Sequence, residues 1–251
     1  MKFLHLTDTH YLKSDHEAAQ QMLKQLAKQV AFECLDFVVH TGDLTNDGDE
    51  ADYQALKDLM EATFPKDLPI YYCLGNHDLK RDYNKVFEGN DTSDLHYFTV
   101  NHRGYRIIIL DTSIEGLHDG EVKGDQAEWL FQELSEPSEK GTLIFQHHPY
   151  GIGWAEGEAE CKVETGFFDR LKQSDVLAIF TGHLHMQRNS LVEGIPQYSA
   201  NSTRFGITLY KEQLWISDRT GYSLVSVSDG LIDYYPEILV PNQTPIDKYL
   251  G

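Results

Sequence analysis

Gly75-Asn76-His77-Asp78 follows directly on the apolar run Ile70-Tyr71-Tyr72-Cys73-Leu74, and where that run stops a buried strand gives way to a polar loop. The glycine lets the backbone turn closely around a bound ion, and the next three side chains offer an amide oxygen, an imidazole and a carboxylate. On its own the tetrapeptide reads more simply as a loop that caps a helix at Asp78. The rest of the chain decides the matter, because four other apolar runs end in the same kind of polar sequence.

Toward the N-terminus, Lys2 to Leu6 is a short strand that runs into Thr7-Asp8-Thr9-His10, and the spacing of Asp8 and His10 lets both point to one side. A helix is signalled from Ser14, with Glu17 completing a capping box and Ala19, Met22, Leu23, Leu26, Ala27 and Val30 along one face. Asp36-Phe37-Val38-Val39-His40 is a second buried strand, followed by Thr41-Gly42-Asp43-Leu44. Glu50 to Thr63 carries Tyr53, Leu56 and Met60 at helical spacing, and Pro65 and Pro69 break the chain before the strand that leads into Gly75. Strands and helices alternating in this way give a parallel sheet with helical crossovers, in which ligands gather at the carboxyl ends of the strands.

Toward the C-terminus, His96 to Val100 and Tyr105 to Leu110 form a strand pair turned by Asn101-His102-Arg103-Gly104, ending in Asp111-Thr112-Ser113. Asp111 is either a support for the site or a cap. The polar segment Gly116 to Gly124 is a loop near the site, and a helix follows over Gln126 to Leu134, packed through Trp129, Leu130 and Leu134. Thr142 to Phe145 is a strand that runs into Gln146-His147-His148-Pro149. The acidic, glycine-rich stretch from Tyr150 to Glu164, with Trp154 at its centre, reads either as a mobile lid or as a plain surface excursion. After a helix over Phe167 to Leu171, the strand Val176 to Phe180 ends in Thr181-Gly182-His183-Leu184-His185.

Beyond Met186 the pattern becomes an antiparallel meander: Gly206 to Tyr210, Gln213 to Ile216, Ser223 to Val227 and Leu231 to Tyr235. The tail from Pro236 to Gly251 is expected to wrap the surface or reach a partner. No linker interrupts the sequence, so a single domain over 1–251 is expected, its motifs within 1–188 and its meander and tail within 189–251.

Asp and Glu outnumber Lys and Arg by 40 to 21 in the 251 residues, a formal charge of -19 that repels the phosphate backbone of extended nucleic acid. Met1 to Leu6 is too quickly interrupted by polar residues for a signal peptide, and no later run approaches the ~20 apolar residues of a membrane span. No membrane partner and a cytoplasmic location are therefore expected. Cys34, Cys73 and Cys161 are widely separated, with no CxxC pair, and are expected to be reduced core residues. The late strands leave a homodimer contact open.

Five strand ends thus carry Asp8 with His10, Asp43, Asn76 with His77, His147, and His183 with His185. Each alone has a plain structural reading, as a cap, a surface residue or a hydrogen-bonded histidine. Together, carboxylates, imidazoles and one amide suit a borderline divalent metal such as Mn, Fe, Co or Zn, whereas an all-oxygen set would suit Mg or Ca.

The ordered set Asp8-Thr9-His10, Gly42-Asp43, Gly75-Asn76-His77-Asp78, His147-His148-Pro149 and Gly182-His183-Leu184-His185 resembles the calcineurin-like metallophosphoesterases. Gly194-Ile195-Pro196, Asn201-Ser202-Thr203, Arg204-Phe205, Gly221-Tyr222 and Asp229-Gly230 make it most similar to the class III cyclic nucleotide phosphodiesterase group. The resemblance implies an α/β fold, a four-layer αββα sandwich with mixed central sheets, the second formed in part by the C-terminal antiparallel meander. It also implies two metal ions, Mn or Fe first and Zn or Co next. Asp8, His10, Asp43 and His185 would hold one ion and Asp43, Asn76, His147 and His183 the other, with the Asp43 carboxylate shared.

The activity implied is hydrolysis of a small phosphodiester such as 3',5'-cyclic AMP, through in-line attack by a hydroxide that the two ions generate. A phosphomonoesterase or glycerophosphodiesterase on the same site is the alternative, and a non-enzymatic metal-binding scaffold stands behind both. Asn76, His77 and His148 are the expected substrate contacts. His77 is the expected stabiliser or proton donor of the departing oxygen, with Asp78 holding its ring. His148 either touches substrate or orients the neighbouring ligand.

Overall fold

The computed structural model describes residues 1–152, 159–210, 213–240 and 245–248. Two sheets lie face to face, and each is covered on its outer side by helices, giving the four αββα layers that the resemblance implies. In the first sheet, β1 (Lys2–Leu6), β2 (Phe37–Thr41) and β3 (Ile70–Cys73) run parallel, linked by α1 (His16–Gln29) and α2 (Glu50–Thr63). The second sheet is built from β4 (Phe98–His102), β5 (Tyr105–Ile109), β7 (Thr142–Phe145) and β9 (Val176–Thr181), together with β10 (Arg188–Val192) and β11 (Ile195–Ser199), in the order β10-β11-β9-β7-β5-β4. Its strands β5, β7, β9 and β11 run parallel, and β4 and β10 close the two edges antiparallel.

Strand periodicity explains the layering, because successive side chains alternate between faces and most of these strands are buried on both. Leu4, Leu6 and Val38 face α1 and α2, where they meet Leu23, Leu26, Leu56 and Met60. Phe3, Phe37 and Val39 face the other way and meet Ile107, Ile109, Leu143, Phe145, Ala178 and Phe180 of the second sheet. Ile108, Ile144 and Ile179 point outward beneath α3 (Gly124–Glu133) and α4 (Phe167–Leu171). The middle layer is largely aromatic: Phe3 stacks on Phe37 at 4.8 Å and takes Phe145 and Phe180 edge-on at 5.4 and 5.3 Å.

Several expectations are corrected here. The N-terminal helix starts at His16, and Ser14 lies in a 3-10 turn over Lys13–Asp15 with no capping bond. That turn is held instead by Asp52, whose carboxylate accepts the Lys13 N–H at 2.8 Å, and by the Asp15 N–H on the Leu12 carbonyl. Cys34 is exposed in a second 3-10 turn, whereas Cys73 and Cys161 are buried, and all three are free.

The late strands pair antiparallel with their chain neighbours as expected, but the pairs are divided among three sheets. β10 and β11 extend the second sheet, while β12 (Gly206–Tyr210) and β13 (Gln213–Ser217) pair with β16 (Pro245–Lys248). β14 (Thr220–Ser228) and β15 (Leu231–Val240) join the first sheet, β14 lying antiparallel to β1. Residues 236–240 are therefore ladder on β14 and 245–248 ladder on β13 rather than tail, since an unpaired β14 edge would leave its backbone donors and acceptors open. The short β6 (Gly120–Val122) pairs in parallel with β8 (Cys161–Val163), which fixes the C-terminal end of the suspected lid, while Trp154 lies outside the described residues. No described helix is long and apolar enough to cross a membrane.

Phe3→Ala should lower unfolding free energy by about 3–5 kcal/mol in urea melts, because it removes the ring on which both sheets close. Leu231→Ala, at a side chain 64% exposed, should stay within about 0.5 kcal/mol of the wild type.

Candidate metal centre and active site

The carboxyl ends of β1, β2 and β3 open toward those of β7 and β9, so loops from two sheets meet at one seam. β1 delivers Asp8 and His10, β2 delivers Asp43, β3 delivers Asn76 and His77, β7 delivers His147 and His148, and β9 delivers His183 and His185. Asp8, His10, Asp43 and His185 are all buried, and their ligating atoms lie within 4.8 Å of one another. His147, His148 and His183 form a second cluster on the same criterion.

The backbone shows what this convergence requires. Among the described residues, nine non-glycine positions have positive φ, and five of them are Asp8, His10, Asp43, His183 and His185. A left-handed conformation costs an L-residue of order 1–3 kcal/mol and persists only where its surroundings fix it. Close approach also dictates two glycines: a Cβ at Gly75 would collide with Asp43 Oδ1, and one at Gly182 with Thr7 Oγ1.

The atoms themselves form two groups sharing Asp43. His10 Nε2 stands 3.1 Å from His185 Nε2 and 3.4 Å from Asp43 Oδ2, and His185 Nε2 stands 3.4 Å from Asp8 Oδ1. On the other side His147 Nε2 stands 3.1 Å from His183 Nδ1, 3.2 Å from Asn76 Oδ1 and 3.4 Å from the same Asp43 Oδ2. Donor atoms that share one ion through bonds of about 2.0–2.2 Å lie roughly 3.0–3.5 Å apart, so both groups have the spacing of a ligand set.

Tautomers and carboxylates are held to match. His147 Nδ1 donates to the Thr41 carbonyl at 2.7 Å and His185 Nδ1 to the Phe205 carbonyl at 2.9 Å, which turns each Nε2 lone pair inward. Asp43 Oδ1 accepts the His77 N–H at 3.0 Å, leaving Oδ2 between the two groups. Asp8 is held by Thr7 Oγ1 at 2.7 Å and by the His183 N–H at 3.1 Å.

Charge follows geometry. Burial works against the Asp43 carboxylate, but His147 and His10 outweigh it and hold Asp43 well below the usual carboxylate range. Burial likewise works against the His147 imidazolium, yet Asp43 raises it to about 9. His10 and His183 are driven down to about 4 and about 3, chiefly by burial. Burial also works against the His185 imidazolium, yet Asp8 raises it, so the cluster answers its carboxylates with imidazoles whose pKa is raised, in positions that a cation would take.

The remaining candidates divide. His77 stands at the rim, its ring 4.6 Å from that of His10 and its Nδ1 donating to the Asn46 carbonyl at 2.7 Å. Asp78, expected to hold the His77 ring, does something else. It is buried and accepts from the Leu44, Thr45 and Gly75 N–H groups and from the Tyr53 hydroxyl, at 2.9–3.3 Å. Burial and the charge of Asp43 push its carboxyl up to about 6. With His77 on Asn46, Asp78 instead ties the β2 and β3 loops together, and it caps no helix. His148 is fully buried, with Nδ1 2.8 Å from Thr112 Oγ1 and its ring 4.6 Å from that of His183. Asp111 braces the neighbouring loop through Ser113 and the His96 N–H.

Sequence reasoning passed over His118, whose Nδ1 accepts from Asn76 Nδ2 at 3.3 Å. Its only signal was its place in the polar segment expected near the site. It also passed over His40, buried in β2 with Nε2 2.6 Å from Thr9 Oγ1 and marked only by being a polar residue in an apolar run.

Comparison with known proteins places these residues in company. The profile of the calcineurin-like phosphoesterases matches residues 1–187. A probable cyclic nucleotide phosphodiesterase of Rhodococcus erythropolis is 30% identical, over 98% of this chain and 84% of that protein. A cAMP/cGMP dual specificity phosphodiesterase of Mycobacterium tuberculosis is 31% identical, over 97% of this chain and 79% of that protein. Among solved structures, a dimetal phosphatase from Danio rerio superposes with a TM-score of 0.64 at 14% identity, covering 96% of this chain and 99% of the other, a likeness of fold.

Because His147 sits near 9, binding of Mn2+ to metal-stripped protein at pH 7.5 should release at least one proton per chain. Calorimetry in two buffers of different ionisation enthalpy reads the release, which should fall away, and apparent affinity should level off, once pH passes about 9. Asp78→Asn puts an NH2 group against backbone N–H donors and should cost about 1–3 kcal/mol in urea melts.

Proposed function

The chain belongs to the calcineurin-like phosphoesterase family, and on that premise we propose that it hydrolyses small phosphodiesters, 3',5'-cyclic nucleotides such as cyclic AMP first among them. The observation that carries the proposal is the position of Asp43 Oδ2, 3.4 Å from His10 Nε2 and 3.4 Å from His147 Nε2, shared by two otherwise separate donor sets. The substrate class is supported by two relatives at 30% and 31% identity over nearly the whole chain, whose names are those of cyclic nucleotide phosphodiesterases.

In this reading Asp8, His10, Asp43 and His185 hold one divalent ion and Asp43, Asn76, His147 and His183 the other. Mn or Fe is the leading choice, with Zn and Co also suited to the mixed nitrogen and oxygen donors. When bound, the ions supply Lewis acidity toward the phosphoryl oxygens and a water activated near neutral pH. The chain's own residues do the rest. The left-handed loops fix the donors before substrate arrives, so little reorganisation opposes the reaction. His77 keeps its Nδ1–H on the Asn46 carbonyl, so in its imidazolium form it offers Nε2–H to the departing oxygen, gives up that proton as the P–O bond breaks and is left neutral with Nδ1–H. His148, buried beside His183, keeps that ligand's ring in place.

Metal-stripped, Mn-reconstituted protein should hydrolyse bis(p-nitrophenyl) phosphate and cyclic AMP faster than p-nitrophenyl phosphate. Preference for the monoester would move the assignment to a phosphomonoesterase, and activity on the aryl diester alone would send the substrate search toward glycerophosphodiesters. Asp43→Asn should lose both ions and all turnover, and full metal content with wild-type turnover would sink the assignment. His77→Ala should slow alkoxide leaving groups by about 10²–10⁴-fold and nitrophenolate far less. Equal losses for the two would remove His77 from the proton transfer.

A further inference from the structure

We infer that His118 positions the Asn76 amide, and that residues 159–163 act through Asp119 to keep His118 in place. The inference rests on the reading of Asn76 as a metal ligand. An Asn amide has two ends of nearly the same shape and opposite chemistry, and rotation by half a turn presents NH2 where a cation needs oxygen. Here Nδ2 donates to His118 Nδ1 at 3.3 Å while Oδ1 lies 3.2 Å from His147 Nε2. A ring nitrogen that accepts a hydrogen bond carries no proton, so neutral His118 is protonated on Nε2. The rotated amide would then set its oxygen against an acceptor nitrogen and lose the bond. With Nδ1 unprotonated, His118 thus favours the amide orientation that faces the donor set.

His118 is exposed and follows the exposed Leu117, so something else must hold it. That is its neighbour Asp119, whose Oδ1 accepts the Ala159 N–H at 2.8 Å and whose Oδ2 accepts from Lys162 Nζ. The next residue, Gly120, donates to the Glu160 carbonyl at 3.0 Å and opens the β6–β8 pairing, with Gly120 opposite Cys161. The Cys161 N–H in turn donates to the Pro149 carbonyl at 2.8 Å, two residues beyond His147. A continuous path of bonds therefore leaves one ligand of the second group, His147, crosses 159–162, and returns through Asp119 and His118 to another, Asn76. The stretch suspected of being a lid does, at this end, the work of a brace.

The test is calorimetric titration of metal-stripped protein with Mn2+, resolving two ions, beside thermal melts of the ion-free forms. His118→Ala should weaken one ion by about 10–100-fold, leave the other within about twofold, and leave the ion-free melting temperature unchanged. His118→Asn, whose side-chain oxygen falls near the place of Nδ1, should restore most of the loss. Asp119→Ala should reproduce it in part. Wild-type affinity for both ions in His118→Ala, failure of His118→Asn to restore, or equal weakening of both ions with a lowered ion-free melting temperature would each overturn the proposal. Asn76→Ala, run in parallel, separates the two levels: if it binds both ions as tightly as the wild type, the ligand reading has failed.

Discussion

Two carboxylates, Asp8 and Asp43, are buried at the seam between two sheets, and the arrangement around them follows from the cost of that burial. An unpaired carboxylate in such a place costs several kcal/mol, so it must be met by positive charge and by hydrogen-bond donors. The donors come from the backbone, with the His183 N–H on Asp8 and the His77 N–H on Asp43. The positive charge comes from imidazoles close enough to share a cation. Because strands in both sheets point their carboxyl ends the same way, the imidazoles can come from either side, and the aromatic layer of Phe3, Phe37, Phe145 and Phe180 fixes the distance between them.

Much of this was legible in the chain before any coordinates. Apolar runs of four to six residues ending in polar residues and glycine marked the strand ends, and those ends hold Asp8, His10, Asp43, Asn76, His77, His147, His183 and His185. Continuous apolar runs and helical stripes carried the layers, because each obeys a local rule that a neighbour cannot easily override.

What was not legible depended on distant partners. Ser14 and Glu17 have the spacing of a capping box, but Asp52 in α2 takes the Lys13 N–H and holds the turn one residue further on. Asp78 looks like an orienting carboxylate for the histidine beside it, yet donors from Leu44 and Thr45, more than thirty residues away, claim both its oxygens. The C-terminal residues read as a tail because Pro236 suggested a break, while β15 runs on past it along the open edge of β14, which no local signal reveals. His118 belongs to the same class. Nothing in Leu117-His118-Asp119 distinguishes it from any polar loop.

The left-handed residues at the site also bear on how the centre comes together. Local preference would release each of those loops into ordinary backbone, so they are held by the completed sandwich and not the reverse. His10 and His185, whose Nε2 atoms stand 3.1 Å apart, are separated by 175 positions along the chain. A single ion between them would close a loop spanning most of the molecule, the kind of closure that withdraws the most freedom from an unfolded chain. In that respect the ions that serve chemistry would also serve as rivets, fastening the first strand to the ninth across both sheets in a protein whose three cysteines are all free.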